Sequence, residues 1–350
     1  MDIDTDFSHA SSWDEKMLER TRWLRENAPV YWSEKTGAFI LSRYDDVVHV
    51  SKNHDEFCSG EGVLPGRMNA KIGMIDEDEP HHGEMRSLIN RGFTPRMVRR
   101  WEEVFKRLTD ETLDKIAAKG ECDFVEDVAV PMPLILIAEM IGIRKEDRHR
   151  FHQWSDAMIG AQGNLDNPVI TAAAGKAALE YYTYLVDIIA DRRKSPKEDL
   201  ISILVRAKED GVLVQHDSDR HRYHMGAEPT DEQRANDSTA TRDTSLRGVP
   251  IAKGQKVLMI YGSANRDAEA FENPDQLDID RNPHHLAFGI GNHFCMGANL
   301  ARMELRVALT EILRRLPDMR YAANGPELGS SALVRSVKHM HVRFTPERAD

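Results

Sequence analysis

Cysteine is scarce in this chain. Its 350 residues include only Cys58, Cys122 and Cys295, which lie far apart in the sequence. No two of them form a C-x-x-C pair, so the sequence indicates neither a disulfide framework nor a zinc ribbon. Each cysteine therefore needs an explanation of its own.

The chain also lacks an excess of positive charge. It carries 58 acidic against 47 basic residues, and its formal net charge is -11. This balance argues against a nucleic acid or an anionic membrane surface as the main partner. We therefore expect no nucleic-acid partner.

Long hydrophobic runs are missing as well. The longest apolar stretch, residues 128–143, is short for a bilayer span and contains Pro131, Pro133 and Glu139, so we predict a buried helix there. The N-terminal residues are acidic and lack the basic and apolar regions of a secretory signal. We therefore expect a cytoplasmic protein with no integral membrane association.

Hydrophobic periodicity predicts a mainly α fold with small β-sheets. Helical spacing dominates residues 80–190, whereas strand-like alternation is short and local. We interpret residues 1–350 as a single domain. The other predicted elements are a helix over 13–27 followed by a small hairpin, a second hairpin over 246–262 that turns at Lys253-Gly254, a helix over 297–316 and a strand over 339–344.

One window, residues 214–238, is almost free of large apolar side chains and cannot supply a buried face. We interpret it as a hydrophilic loop or a disordered insert. A metal site is an alternative, because the window contains His216, His221 and His224 near Asp217 and Asp219. Their irregular spacing in a charged segment favours a solvated loop.

The stretch HLAFGIGNHFCMG, residues 285–297, contains the clearest chemical signal. Gly289, Gly291 and Gly297 permit tight backbone turns and a close approach to a flat ligand. Cys295 precedes a predicted helix, whose positive N-terminal end favours a thiolate. A metal ligand or a nucleophile fits this position, and an ordinary buried cysteine is the alternative.

The pattern F-G-x-G-x-H-x-C-x-G in this stretch resembles the haem-binding loop of the cytochrome P450 family. The resemblance implies haem b as cofactor, with Cys295 as the thiolate ligand of its iron. It further implies that Phe288 packs near the sulfur and that His293 reaches a haem propionate. The three loop glycines belong to the same implied cofactor site.

A second patch, DEPHHGEMR at residues 78–86, places His82 and Arg86 four residues apart on a predicted helix, so they share a face. The matching H-x-x-x-R pair of the family binds haem propionates. A solvated i,i+4 pair on the protein surface is the alternative interpretation.

The resemblance covers about residues 13–209 and 239–350, and it implies a P450-like fold with an internal deletion. Two family motifs are missing: A/G-G-x-D/E-T of the distal oxygen-binding helix, and E-x-x-R on the proximal side. Letter matches to E-x-x-R occur only in other places, at Glu19–Arg22 and Glu311–Arg314. Ser238 replaces an arginine that commonly binds a propionate. We therefore identify no catalytic acid and alcohol pair.

The implied function is a haem-thiolate monooxygenase that hydroxylates an apolar small molecule such as a steroid, a terpenoid or a fatty acid. It would use O2 and electrons from NAD(P)H, delivered by a ferredoxin or flavoprotein reductase. Two alternatives stay open: a catalytically impaired or dead haem-binding remnant, and a haem-free helical binding protein. A set of arginines forms either a docking patch for the redox partner or a solvated surface: Arg99, Arg100, Arg302 and Arg306.

Overall fold

The computed structural model describes most of the chain. The described residues are 2–62, 73–161, 164, 166–209, 236–322, 325–329 and 336–347. The predicted hydrophilic window at 214–238 therefore lies outside the described residues as far as residue 235.

Helices dominate the described part of the chain, as the periodicity predicts. They are α1 (Met17–Asn27), α2 (Tyr44–Lys52), α3 (His81–Ile89), α4 (Pro95–Ile116), α5 (Pro131–Ile141), α6 (Arg148–Gly160), α7 (Pro168–Lys194), α8 (Leu200–Glu209), α9 (Tyr261–Ala264) and α10 (Ala298–Arg315). A π-helical turn, Val125–Ala129, leads into α5.

Start and stop signals explain where the long helices begin and end. Thr94 precedes Pro95 and its hydroxyl accepts a hydrogen bond from the Met97 amide, which caps α4. Asn167 caps α7 in the same way before Pro168. The α5 helix ends at Gly142, which adopts the left-handed conformation.

The strands are short and form four small sheets. They are β1 (Val30–Ser33), β2 (Ala38–Leu41), β3 (Phe57–Cys58), β4 (Glu121–Asp123), β5 (Asn236–Ala240), β6 (Thr244–Leu246), β7 (Val249–Ile251), β8 (Lys256–Met259), β9 (Arg320–Tyr321), β10 (Glu327–Leu328), β11 (Val337–His339) and β12 (His341–Arg343). The fold class, mainly α with small β-sheets, is confirmed.

The largest sheet has the strand order β1-β2-β8-β5-β3. The β1–β2 hairpin is the one predicted from the sequence, and β2 continues the sheet by pairing in parallel with β8. The other sheets join β4-β12-β9, β10-β11 and β6-β7. Residues far apart in the sequence therefore meet in the β1-β2-β8-β5-β3 and β4-β12-β9 sheets, whereas β6-β7 and β10-β11 pair strands that are close in sequence.

Two expectations from the sequence are wrong in detail. The second hairpin turns at Arg247-Gly248 between β6 and β7, and the residues after Lys253-Gly254 form β8, which pairs with β2 and β5. The hydrophilic window does not extend to Ser238, because residues 236–238 belong to β5. Pairing with β8 holds these polar residues in a strand, and Asp237 is fully buried there.

The helix that follows the cysteine motif is anchored in the largest hydrophobic cluster. Met303 and Val307 of α10 pack with Trp101 and Phe105 of α4 and with Leu136 of α5, and all five are buried. This packing fixes the N-terminal end of α10, and with it the cysteine loop. Within the described ranges, no helix combines the length and the apolar composition needed to cross a bilayer.

Candidate functional site

The cysteine loop is closed by its own backbone hydrogen bonds. The Cys295 amide donates to the Phe288 carbonyl over 2.9 Å, and the Phe294 amide donates to the Gly291 carbonyl over 3.1 Å. Gly289 and Gly291 have φ values of +66° and +80°, which strain any residue with a Cβ. The sequence therefore folds locally into a compact loop with the cysteine at its end.

Gly291 is required by close packing as well as by its conformation. A Cβ at this position would lie 2.1 Å from the Ser51 carbonyl oxygen at the end of α2. The close approach expected of this glycine is thus made to the protein's own backbone. Gly297, in contrast, has an ordinary φ of -76° and stands directly before α10.

Cys295 lies three residues before the first residue of α10 and is partly buried. A Cβ on Gly297 would approach its Sγ to 3.7 Å, so the small residue leaves space beside the sulfur. The Arg302 guanidinium lies over the Phe288 ring, 4.8 Å from its centre. The sulfur therefore occupies the helix end at which a thiolate is favoured.

Helix α3 brings His82 and Arg86 to the same loop. The His82 ring lies 4.1 Å from the His293 ring, measured between centroids, and Arg86 Nη2 donates a hydrogen bond to the Phe294 carbonyl. His82 is only 1% exposed. His82 is therefore not solvated, Arg86 is partly buried, and the two side chains meet His293 beside the Cys295 loop.

This donor cluster is electrostatically incomplete. Burial, followed by the nearby His82 and Arg86, lowers the pKa of His293 to about 4, although Asp78 and Glu79 oppose the effect of these cations. His82 Nε2 is buried and has no hydrogen-bond partner within the described residues. Such a cluster suits an anionic ligand, which would accept hydrogen bonds and offset the positive charge.

Sequence reasoning missed two residues of the site. Glu79 Oε1 lies 3.2 Å from His82 Nδ1, and the Asn292 side-chain amide donates to the same oxygen over 3.1 Å. Glu79 stands three residues before His82 but outside α3, which begins at His81, so helical spacing does not predict their contact. Nothing in the sequence indicates the contact with Asn292 either.

Comparison with known proteins identifies the family. The cytochrome P450 family model matches residues 235–317. A steroid C26-monooxygenase of Mycolicibacterium smegmatis is 32% identical in an alignment covering 94% of this chain and 92% of the relative. The putative cytochrome P450 YjiB of Bacillus subtilis is 30% identical, with 97% and 95% covered.

The chain belongs to the cytochrome P450 family. Solved structures agree: CYP109E1 of Bacillus megaterium, in complex with testosterone, superposes with a TM-score of 0.81 at 28% identity, covering 94% of this chain and 97% of that one. CYP268A2 of Mycobacterium marinum, in complex with pseudoionone, has a TM-score of 0.84 at 26% identity, with 98% and 99% covered. The P450-like fold is confirmed, and the family implies haem and monooxygenase chemistry.

The alignment with the mycolicibacterial P450 runs over 374 residues, more than the 350 of this chain, so the relative has positions without a counterpart here. The two segments that match E-x-x-R by letter form contacts of their own. Glu311 and Arg314 pair on the surface of α10, and Arg22 of α1 pairs with Asp275. Ser238 is buried in β5 opposite Val257. The internal deletion itself stays a prediction.

The arginines of the predicted docking patch are largely engaged within the protein. Arg306 Nη2 lies 2.6 Å from Glu102, and Arg100 pairs with Glu198. Arg302 covers Phe288. These contacts reduce the free positive charge and favour the solvated-surface interpretation for Arg100 and Arg306.

Proposed function

We propose that this P450 binds haem b with Cys295 as the iron ligand and hydroxylates an apolar small molecule with O2. The observation that carries the proposal is the convergence of His82, Arg86 and His293 beside the Cys295 loop. A thiol at a helix start next to a cluster of nitrogen donors, of which His82 is buried, matches the two chemical ends of haem, its iron and its carboxylates.

The residues present fit the propionate edge of haem. His82 Nε2 is buried without a partner among the described residues, and His293 is held neutral by burial and by neighbouring cations. Two carboxylates would supply the missing acceptors and charge. We therefore assign His82, Arg86 and His293 to the propionates.

The chain's own groups have defined tasks around that cofactor. The hydrogen bond from the Cys295 amide to the Phe288 carbonyl and the packed start of α10 hold the sulfur in place. Phe288, covered by Arg302, limits the access of water to this side of the loop. Haem, when bound, supplies the oxidising chemistry, with a thiolate ligand raising the electron density at its iron.

The proposed substrate is a steroid or another isoprenoid-like molecule. Similar proteins carry the name steroid C26-monooxygenase, and similar P450 structures hold testosterone and pseudoionone. Electrons would come from NAD(P)H through a ferredoxin or flavoprotein reductase, as is usual for haem-thiolate monooxygenases.

A specific observation favours a second candidate, an impaired or dead haem-binding relative. The sequence contains no A/G-G-x-D/E-T string, so the acid and alcohol that handle protons at bound oxygen in the family have no counterpart. This candidate predicts haem binding without turnover.

Turnover distinguishes the two candidates. The purified holoprotein is incubated with NADPH, a ferredoxin, its reductase, O2 and testosterone, and the products are analysed by mass spectrometry. A product heavier by one oxygen atom, absent with Cys295→Ser, supports the monooxygenase. Consumption of NADPH with peroxide release and no oxidised steroid supports the impaired relative.

A further inference from the structure

Glu79 is the carboxylate that contacts the buried His82. We propose that Glu79 is a positioning residue that holds His82 as an imidazolium with two N–H donors, one for Glu79 and one for a haem propionate. The inference rests on the proposed haem site. It adds Glu79 to that site, a residue that belongs neither to the cysteine loop nor to the H-x-x-x-R pair.

Every hydrogen bond of the Glu79 carboxylate helps to fix its direction. Oε1 lies 3.2 Å from His82 Nδ1 and accepts from Asn292 Nδ2 over 3.1 Å. Oε2 accepts from the Gly83 amide in the first turn of α3 over 3.1 Å. The carboxylate therefore links the start of α3 to the cysteine loop and orients the ring of His82 in between.

The ionised state of Glu79 follows from the same contacts. The hydrogen bond with His82 is the largest influence and, with the Gly83 amide, lowers the pKa of the Glu79 carboxyl. An ionised carboxylate only accepts hydrogen bonds, so Nδ1 of His82 must carry a proton. In a neutral ring, Nε2 would then be an acceptor.

A propionate is also only an acceptor at neutral pH. Nε2, buried and without a partner in the described part of the chain, can bond a propionate only when it carries a second proton. The charge of Glu79 stabilises that doubly protonated ring. Glu79 thereby converts His82 from a ring that would repel the propionate into a charge-assisted donor.

The other charged groups around His82 either bond to other partners or carry a positive charge, like the proposed imidazolium. Both oxygens of Asp78 accept backbone amides, from Ser59 over 2.8 Å and from Gly60 over 3.1 Å. Arg86 is a cationic neighbour, whereas His293 is neutral because burial lowers its pKa to about 4. On the side of α2, His54 faces the pair through Asn292, at 3.4 Å from its amide nitrogen.

His81 and Glu84 complete the titratable groups of α3. Their side chains lie 3.8 Å apart and are both partly or largely exposed, on the outer side of the helix. Glu84 is therefore a matched control, a glutamate on the same helix that does not contact His82.

The test compares the wild type with Glu79→Gln and Glu84→Gln. The rate of haem transfer from the holoprotein to excess apomyoglobin should rise about tenfold in Glu79→Gln, since a hydrogen bond to a charged group is lost. Glu84→Gln should match the wild type. The propionate bending bands in resonance Raman spectra should shift only in Glu79→Gln.

The propionate bending bands separate this role from a merely structural one. Without the Glu79 carboxylate, His82 Nε2 no longer donates to the propionate, so the bands should shift. A purely structural role for Glu79 would leave the hydrogen bond to the propionate, and with it these bands, unchanged.

The outcomes distinguish this inference from the proposed function. A wild type with no thiolate-ligated haem contradicts the proposed function and this inference together. A wild type with thiolate-ligated haem, but with Glu79→Gln equal to it in haem transfer rate and Raman bands, overturns this inference alone. If Glu79→Gln does not fold, Asn292→Ala replaces it; a smaller increase in the same direction is expected, and no change overturns the proposal.

Discussion

Gly291 and Gly289 stand two residues apart in the cysteine loop and differ in what surrounds them. Both have positive φ, but a Cβ on Gly291 would lie 2.1 Å from the Ser51 carbonyl oxygen, whereas one on Gly289 would lie 3.8 Å from the nearest atom, the His293 carbonyl oxygen. The first position therefore adds a backbone clash to conformational strain.

Alanine substitutions should separate the two effects. Gly289→Ala should lower the free energy of unfolding by about 1 kcal/mol, the cost of a left-handed alanine. Gly291→Ala should lower it by about 3 kcal/mol, because α2 or the loop must also shift. Urea unfolding of both variants measures these changes in the free energy of unfolding. Equal decreases in the two variants would contradict the close packing of the loop on α2.

At the level of single residues, the sequence indicated the cysteine loop but not the residues that contact it from other parts of the chain. The motif around Cys295 and the pair His82 and Arg86 are local patterns, and the structure brings them together. The contact of Glu79 with Asn292 joins residues 213 positions apart. No local pattern contains such a contact, so it could not be predicted from one sequence.

Among the elements, β4 and β11 are joined through one carboxylate. Asp123 of β4 accepts hydrogen bonds from the Met340 amide over 3.0 Å, from His339 Nδ1 over 2.6 Å and from the Val125 amide over 3.1 Å. Partial burial opposes its ionisation, but these bonds outweigh burial and lower the pKa of Asp123 to about 2.

Asp123→Asn should therefore destabilise the protein by about 1–2 kcal/mol at pH 7. Because the folded pKa lies below the unfolded value, this stability is present above about pH 4 and is lost as pH falls towards 2. The difference from the wild type in urea unfolding should narrow below pH 4. Asp278→Asn, at an exposed carboxylate, is the control. A stability difference between the wild type and Asp123→Asn that does not change with pH would refute the low pKa of Asp123.

Helices α5, α7 and α8 are joined by a buried ion pair. Arg192 of α7 is 3% exposed, contacts Asp199 over 2.5 Å through Nε, and donates to the Gly142 carbonyl over 3.0 Å. Asp199 in turn accepts the Ser202 amide in the first turn of α8. One guanidinium thus holds three helix ends.

Arg192→Leu should lower the free energy of unfolding by about 3–5 kcal/mol, because it leaves the Asp199 carboxylate buried without its cation. The neighbouring variant Arg193→Leu removes an exposed arginine from the same helix and should change stability little. Chemical denaturation of both variants provides the measurement. Similar stabilities for the two variants would show that the buried pair does not hold these helices.

Element prediction failed where long-range pairing decides the structure. Val249 to Met259 alternates as a hairpin would, yet β7 turns back on β6 and β8 joins β2 in parallel. Helices such as α4, with its periodicity and Thr94 cap, and α10, with its periodicity, were predictable because these signals are local. Strand partners are set by the rest of the sheet.

The whole molecule combines the haem-side elements of a cytochrome P450 with the loss of two family motifs. On α10, Leu305, Leu309 and Leu313 recur at helical spacing and are 42%, 51% and 65% exposed. Such a stripe is unusual for a folded helix surface. The stripe leaves an apolar face of α10 exposed in the described part of the chain, and the internal deletion stays a prediction.

The central claim is that Cys295 ligates haem iron in this P450. The most direct test is the absorption spectrum of the purified protein, ferric and then reduced with dithionite under carbon monoxide, beside Cys295→Ser. The account predicts a thiolate-type Soret band in the wild type that is lost in the variant. A wild type without haem, or a variant with the same spectrum, would contradict it.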